Sequence, residues 1–331
     1  MVIHLIYINS LNILSTSAMD KMASINAEKL AIKEGNSLIG NNKYGVQPLK
    51  RASLDLVNEK SIIVSKLLEK QGCLSVKEIL SKDSCIKLKE FINNEVINSK
   101  NDVNSDNNNI QFNERFGGVN CRGTDIDNNI DFGKRQDLYL PLSNEFIRTV
   151  TAEAFKNLLP IIENTVGING LVHEISSLVS NPGSPRQCLH CDTIYLPCPQ
   201  YPSANMEPLY TFFIALQDVE DNMGHTLFLP QTHTESAHLM WNTEQSKKEK
   251  FIQVNPAVES RLKIGDTAIF DSRLLHCGRE NTSTKVRTLF YFTLSKQHEW
   301  PLKNGLHGSN SIRKEDFQKW TVKDVLDSLE T

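Results

Sequence analysis

The 331-residue chain predicts an α+β fold, with helices first and a barrel or sandwich of antiparallel strands after them. Three observations carry that expectation. Residues 52–96 and 144–165 hold apolar side chains at helical spacing. After Gly170 the texture changes: LVHEISSLVS, LYTFFIALQDV, HTLFLPQTH, TAIFD and RTLFYFTLS are short, β-branched or aromatic, and separated by Pro, Gly or Asn. No internal repeat and no GxGxxG or Walker-type loop interrupts this order to suggest a nucleotide site.

Taken in order, residues 1–50 show no sustained periodicity and read as a mobile N-terminal extension, with 51–331 as a single domain. ASLDLVNEKSIIVSKLLEK (52–70) sets Leu56, Ile63, Leu67 and Leu68 roughly on one helical stripe. QGCLSVKEIL then gives a glycine break and a short β-leaning run. Ser81 or Asp83 can cap a helix through KLKEFINNEVI, where Leu88, Phe91, Ile92 and Val96 are spaced for a buried face. Residues 99–131, rich in Asn, Asp and Gly, predict a long polar loop. A loop of that length is either a lid or plain surface chain. NEFIRTVTAEAFKNLLPIIENT is helical again, with Pro160 placed to kink or divide it.

Composition narrows the function classes. With 39% hydrophobic and 23% charged residues the chain can build an ordinary core. A net charge of −3 gives no footprint for nucleic acid, and no apolar run reaches the length of about 18 residues that a membrane span needs. Seven irregularly spaced cysteines favour reduced thiols in a reducing compartment over a disulfide framework. The opening MVIHLIYINSLNILS is apolar enough for a leader but lacks its positive start and a small-residue cleavage site. Met19 or Met22 could be the true start, so localisation stays open. A monomer is favoured.

The chemistry concentrates in LHCDTIYL, residues 189–196. On a strand, side chains two apart share a face, so His190 and Asp192 point together while Cys191 points away. Cys188 and Cys191 form a C-x-x-C, yet no second pair of zinc-ligating thiols or histidines accompanies it. A third ligand is available in IGDTAIFDSRLLHCGRENTSTKVRTLFYFTLS, residues 264–295, where His276 ends a turn segment and Arg287 opens the next strand. Two histidines and a carboxylate make the facial triad of non-haem Fe(II) oxygenases, and a zinc hydrolase could use the same set. Arg287 tips the balance, because a guanidinium on a neighbouring strand can clamp the distal carboxylate of 2-oxoglutarate.

HCD at 190–192, FDSRLLHCG at 270–278 and Arg287 together resemble the phytanoyl-CoA dioxygenase (PhyH)-like family of Fe(II)/2-oxoglutarate-dependent dioxygenases. MGHTLFLPQTH (223–233) is similar to that family's turn-and-strand segment, though Gln231 replaces the usual glycine, so the turn is expected to differ locally, and His225 stands where a small residue or proline is common. The likeness spans roughly 60–296. It implies a double-stranded β-helix (jelly-roll, cupin-like) core with flanking N-terminal helices. It further implies His190, Asp192 and His276 as iron ligands, Arg287 on the C5 carboxylate of 2-oxoglutarate, and Gln187 and Thr226 as further supports of the co-substrate. The cofactors implied are Fe(II), 2-oxoglutarate and O2, with ascorbate as reductant in vitro. The reaction implied is oxidation of a C–H bond of a small molecule, with release of succinate and CO2. SSLVSNPGSPRQCLHCDT resembles algal members of the family, among them enzymes of secondary metabolism that cyclise N-prenylated glutamates in kainoid biosynthesis.

Plainer readings stand beside these. His173, His225 and His233 read as packed or supporting residues, and Arg273 as a structural ion-pair member. Cys191 and Cys277 should pack as small apolar side chains. Arg122, Arg186 and Tyr195 are the candidates for substrate contact, each weighed against solvated surface or core packing, and Phe212, Phe213, Phe290 and Phe292 are barrel core. The rival functions are a catalytically inactive family member serving as a binding module, and a zinc hydrolase.

Overall fold

A computed structural model describes residues 47–105, 110–198, 207–241, 245–296 and 311–328. Most of the expected N-terminal extension, with Met19 and Met22, lies outside the described residues. Strands β1 (Gln47–Pro48) and β2 (Arg51–Ala52) precede helix α1 (Leu54–Gln71). Then come β3 (Cys73–Val76), α2 (Lys82–Asn104), β4 (Phe116–Gly117), the pair β5 (Ile126–Asp127) and β6 (Ile130–Asp131), β7 (Arg135–Tyr139) and α3 (Glu145–Thr165). The second half holds β8 (Leu171–Ser180), β9 (Leu209–Ala215), β10 (Thr226–Phe228), the helices α4 (Glu235–Trp241) and α5 (Gln245–Val254), and β11 (Val258–Glu259). It ends with β12 (Thr267–Asp271), β13 (His276–Gly278), β14 (Arg287–Ser295) and α6 (Val322–Asp327).

Eight strands form a large sheet in the order β2-β3-β12-β9-β14-β8-β7-β4, and four form a small one in the order β1-β11-β10-β13. From β9 onward the chain shuttles between the two sheets, the winding of a double-stranded β-helix. Strand alternation sorts the aromatic residues accordingly. Phe212, Phe290 and Phe292 face outward into one core with α1, α2 and α3, whereas Phe213, Phe228, Phe270 and Tyr291 fill the space between the sheets. A third cluster lies behind the small sheet, where Leu227, Leu275 and Cys277 pack on Trp241 of α4 and Phe251 of α5.

Local chemistry accounts for the helix ends. Ser81 caps α2 by accepting the N–H of Ser84, and Asn144 caps α3 by accepting those of Phe146 and Ile147. Four details depart from the sequence reading. The buried stripe of α1 is Val57, Val64 and Leu68, while Leu56 and Ile63 are exposed, and the helix is kinked at Lys60, where φ of −137° and ψ of 39° leave the helical region. Helix α2 continues to Asn104, and the polar stretch after it folds β4 and the β5–β6 turn, where Asn128 and Asn129 both take left-handed φ. Helix α3 runs unbroken across Pro160, since Phe155, Leu158, Ile161 and Ile162 are buried on both sides of it. At the turn after β10, Gln231 takes up the left-handed φ of 68° that a glycine would.

Candidate metal centre

The HCD segment joins the edge of the small sheet. His190 and His276 exchange backbone hydrogen bonds, His190 N–H to His276 O at 3.0 Å and the reverse at 2.8 Å. Directly opposed residues share a face, so the two rings lie side by side with centroids 4.5 Å apart. Asp192 returns to that face two residues on, its N–H donated to Ser272 O at 2.8 Å. Its Oδ1 is 3.7 Å from His190 Nε2 and 3.6 Å from His276 Nε2. All three candidate ligand atoms lie within 4.8 Å of one another. A metal about 2.1 Å from each would set neighbouring ligand atoms about 3 Å apart, so only a small inward movement is needed.

Each imidazole is turned by its own backbone. His190 Nδ1 lies 2.7 Å from Cys188 O and His276 Nδ1 lies 2.9 Å from Leu274 O, so Nδ1 carries the proton and Nε2 is free to ligate. Burial pushes both histidines down to about 4, with the neighbouring His276 adding to the effect at His190. At neutral pH both rings are therefore uncharged, with Nε2 available to a metal. Burial raises the Asp192 carboxyl and His190 opposes the rise, and the 42% exposure of its side chain marks the open side of the corner. Phe270 flanks His276 at 4.8 Å. Cys277 is buried in the cluster behind the small sheet, and Cys191 packs against it.

The guanidinium of Arg287 is fully enclosed. Nη2 donates to Ser180 Oγ at 3.0 Å, Nη1 donates to Gly224 O, and Nε finds no partner. A second enclosed guanidinium, Arg135 on β7, shares the same hydroxyl: Nε donates to Ser180 Oγ at 3.2 Å, Nη1 to Pro185 O and Nη2 to Arg279 O, each at 2.8 Å. Burial lowers Arg287 to about 9, with Arg135 adding to it, and lowers Arg135 to about 10. Among the described residues no carboxylate pairs with either. Two buried positive charges meeting at one hydroxyl constitute a demand for an anion. Sequence reasoning missed Arg135. It reaches the site only because Ser180 is the register partner of both Arg287 and Arg135, a cross-strand fact that no motif records.

The other candidates divide. Thr226 is buried beside Arg287, His225 and Phe213 around a small cavity. Gln187 Oε1 accepts the N–H of Gly278 at 2.9 Å, and Gly278 must be bare because a Cβ there would meet that oxygen at 2.6 Å. Arg122 stands 3.7 Å from Asp131 and stacks on Phe112. Arg186 reaches Cys277 Sγ at 3.4 Å, and so turns toward the rear of the small sheet. Tyr195 lies under the guanidinium of Arg273, which Asp271 grips with both oxygens. His225 Nδ1 is bonded to Ser260 O and His233 Nε2 to Glu69 O, while His173 is buried on β8.

Further along the inner face of the large sheet runs a second polar system. Asp137 accepts from Ser176, Tyr291 and Ser311, and Glu174 accepts from Thr293 and the N–H of Ser311. Burial raises both carboxyls, Glu174 to about 8.

The family model described as Phytanoyl-CoA dioxygenase (PhyH) matches residues 68–289. A curated relative, "Dioxygenase ALT11" of Alternaria alternata, is 25% identical over 167 residues, and the chain spans about half of that protein's length, 48%. Two solved structures are similar at low identity. The non-heme alpha ketoglutarate dependent carbocyclase SnoK from nogalamycin biosynthesis is 16% identical with a TM-score of 0.49, covering 72% of this chain and 85% of that one. The corresponding epimerase SnoN is 14% identical with a TM-score of 0.48, covering 72% and 84%. No helix among the described residues is long and apolar enough to cross a membrane.

Proposed function

Because the chain belongs to the phytanoyl-CoA dioxygenase family, we propose that it is an Fe(II)/2-oxoglutarate-dependent oxygenase that oxidises a C–H bond of a small-molecule metabolite. His190, Asp192 and His276 hold the iron, and Arg287 takes the C5 carboxylate of 2-oxoglutarate, with Thr226 and Gln187 at its sides. Fe(II) held there, together with 2-oxoglutarate and O2, would supply the oxidising chemistry, with succinate and CO2 as by-products. The chain's own part is to present two neutral Nε2 atoms and one carboxylate on a single face, to keep other faces dry, and to neutralise the co-substrate's far end.

The observation that carries this reading is the pair of buried guanidiniums meeting at Ser180 without a carboxylate of their own. Neither a zinc hydrolase nor an inert binding module requires this charge, although Arg135 also ties Pro185 O and Arg279 O, whereas a dicarboxylate anchored beside an iron would meet it. Arg135 thus joins Arg287 as a support of the co-substrate. The finer reading, oxidative ring closure of an N-prenylated glutamate in kainoid biosynthesis, draws its support from the likeness of residues 176–193 to algal sequences. Of the arginines considered for such a substrate's carboxylates, Arg122 pairs with Asp131, and Arg186 bonds Cys277 Sγ through Nη2 and leaves Nη1 without a partner; hydroxylation stands beside ring closure as an outcome.

The test begins without oxygen. Fe(II) and 2-oxoglutarate added to the protein should produce a weak visible charge-transfer band, and air with ascorbate and a panel of small metabolites should then release succinate. Absence of both results returns the protein to the binding-module class. Activity restored by Zn(II) rather than Fe(II) would make it a hydrolase.

A further inference from the structure

The Sγ atoms of Cys121 and Cys188 lie 3.3 Å apart, although 67 residues separate them in sequence. Both side chains are half-buried rather than sealed. Cys121 sits between β4 and β5 with a φ of 51°, a left-handed conformation that a non-glycine residue keeps only where its surroundings impose it. Those surroundings are visible. Arg135 N–H donates to Arg122 O at 2.8 Å, and Gly123 lies so close to Pro185 that a Cβ would come within 2.9 Å of its ring. Residues 121–123 are therefore held against 185–188, and the thiol pair is a feature of that packing.

Cys188 has a second tie. Its carbonyl oxygen is the one that holds His190 Nδ1 at 2.7 Å. We propose that Cys121 and Cys188 form a reversible disulfide site through which a peroxide-class oxidant weakens the protein's hold on its metal. Two thiols and one hydrogen peroxide give one S–S bond and two waters: each sulfur loses its hydrogen, and the O–O bond is reduced and broken. Bond formation would bring the sulfurs from 3.3 Å to about 2.05 Å, a movement of more than an ångström. That pull falls on the residue whose carbonyl sets the tautomer and orientation of His190. Losing such a partner costs about 10–100-fold in metal affinity. Cys73 and Cys85 compete poorly for oxidant, since burial pushes both thiols up to about 12. The effect on the metal rests on the iron reading given above, whereas formation of the disulfide does not.

The experiment uses the full chain, metal-free, oxidised with hydrogen peroxide and in a parallel sample with diamide. Non-reducing peptide mapping should find the fragments of Cys121 and Cys188 joined, with two hydrogens lost, and separated again by dithiothreitol. Anaerobic titration with Fe(II) should then show binding weakened about tenfold or more and recovered on reduction. Cys121→Ser should bind Fe(II) like the reduced protein and ignore the oxidant, and Cys121→Ala serves if that variant folds poorly. A crosslink between other cysteines, or none at all, overturns the proposal. So does a Cys121–Cys188 crosslink that leaves Fe(II) affinity unchanged. If the crosslink forms but reduced protein binds no Fe(II), the iron reading falls and takes the coupling with it, while the disulfide itself stands.

Discussion

Two polar systems share the space between the sheets, and they are built on opposite terms. At the corner of His190, Asp192 and His276, with Arg287 and Arg135 nearby, the polar groups keep something in reserve: two free Nε2 atoms, an open carboxylate, an unbonded Nε. Around Asp137 and Glu174 the reverse holds, and each carboxylate is supplied with donors by serine, threonine and tyrosine hydroxyls or a backbone N–H. Both systems are buried and both displace titrations. Between these two systems, unspent bonding capacity marks the difference, while burial and charge do not.

That contrast can be broken in several places. The largest effect should come from His276→Ala, which removes one of three ligand atoms: Fe(II) binding and succinate release should both vanish in anaerobic titration and turnover assays. Next, Arg287→Ala should keep iron yet raise the 2-oxoglutarate requirement about thirtyfold or more, because a charge pair in a dry pocket is worth about 2–5 kcal/mol. An unchanged requirement would remove Arg287 from its role. Arg135→Gln should raise the same requirement about tenfold, the loss of one charge-assisted hydrogen bond; no change would assign it to holding Pro185 and Arg279 alone.

On the scaffold side the readout is stability. Burial keeps the proton on Glu174 up to about pH 8 in the folded chain, while in the unfolded chain the carboxyl ionises near the ordinary value of 4.5. Between those values the folded state binds the extra proton, so stability falls as pH rises. Melting profiles between pH 5 and pH 8 should be flatter for Glu174→Gln than for the unaltered protein, and parallel profiles would count against this protonation. The smallest effect is expected for Arg122→Ala. Its pairing with Asp131 lies at the surface and should be worth about 0–1 kcal/mol, with no change in iron or 2-oxoglutarate binding.

How much of this could be read beforehand follows from the range over which each feature is encoded. The strands after Gly170 announce themselves through short-range composition, and His190 with Asp192 through a spacing of two. His276 and Arg287 become legible once a family pattern links distant segments. Arg135 does not, because what makes it part of the site is a hydrogen bond to Ser180 Oγ, 45 residues away. Arg122 and Arg186 looked available for the same reason in reverse: the groups that engage them, Asp131 and the sulfur of Cys277, are set by tertiary placement. In α1 the helix was legible but its orientation was not, since Leu56 and Val57 are both apolar and only packing on the sheet chooses between them.

Both imidazoles take their orientation from a main-chain carbonyl two positions upstream, Cys188 O for one and Leu274 O for the other. Because every residue type carries that oxygen, exchanges of side chain at positions 188 and 274 leave the ligand tautomer intact as long as the strand keeps its path. Evolution can then rebuild the walls around this corner, and so trade one substrate for another, without having to reinvent the centre itself.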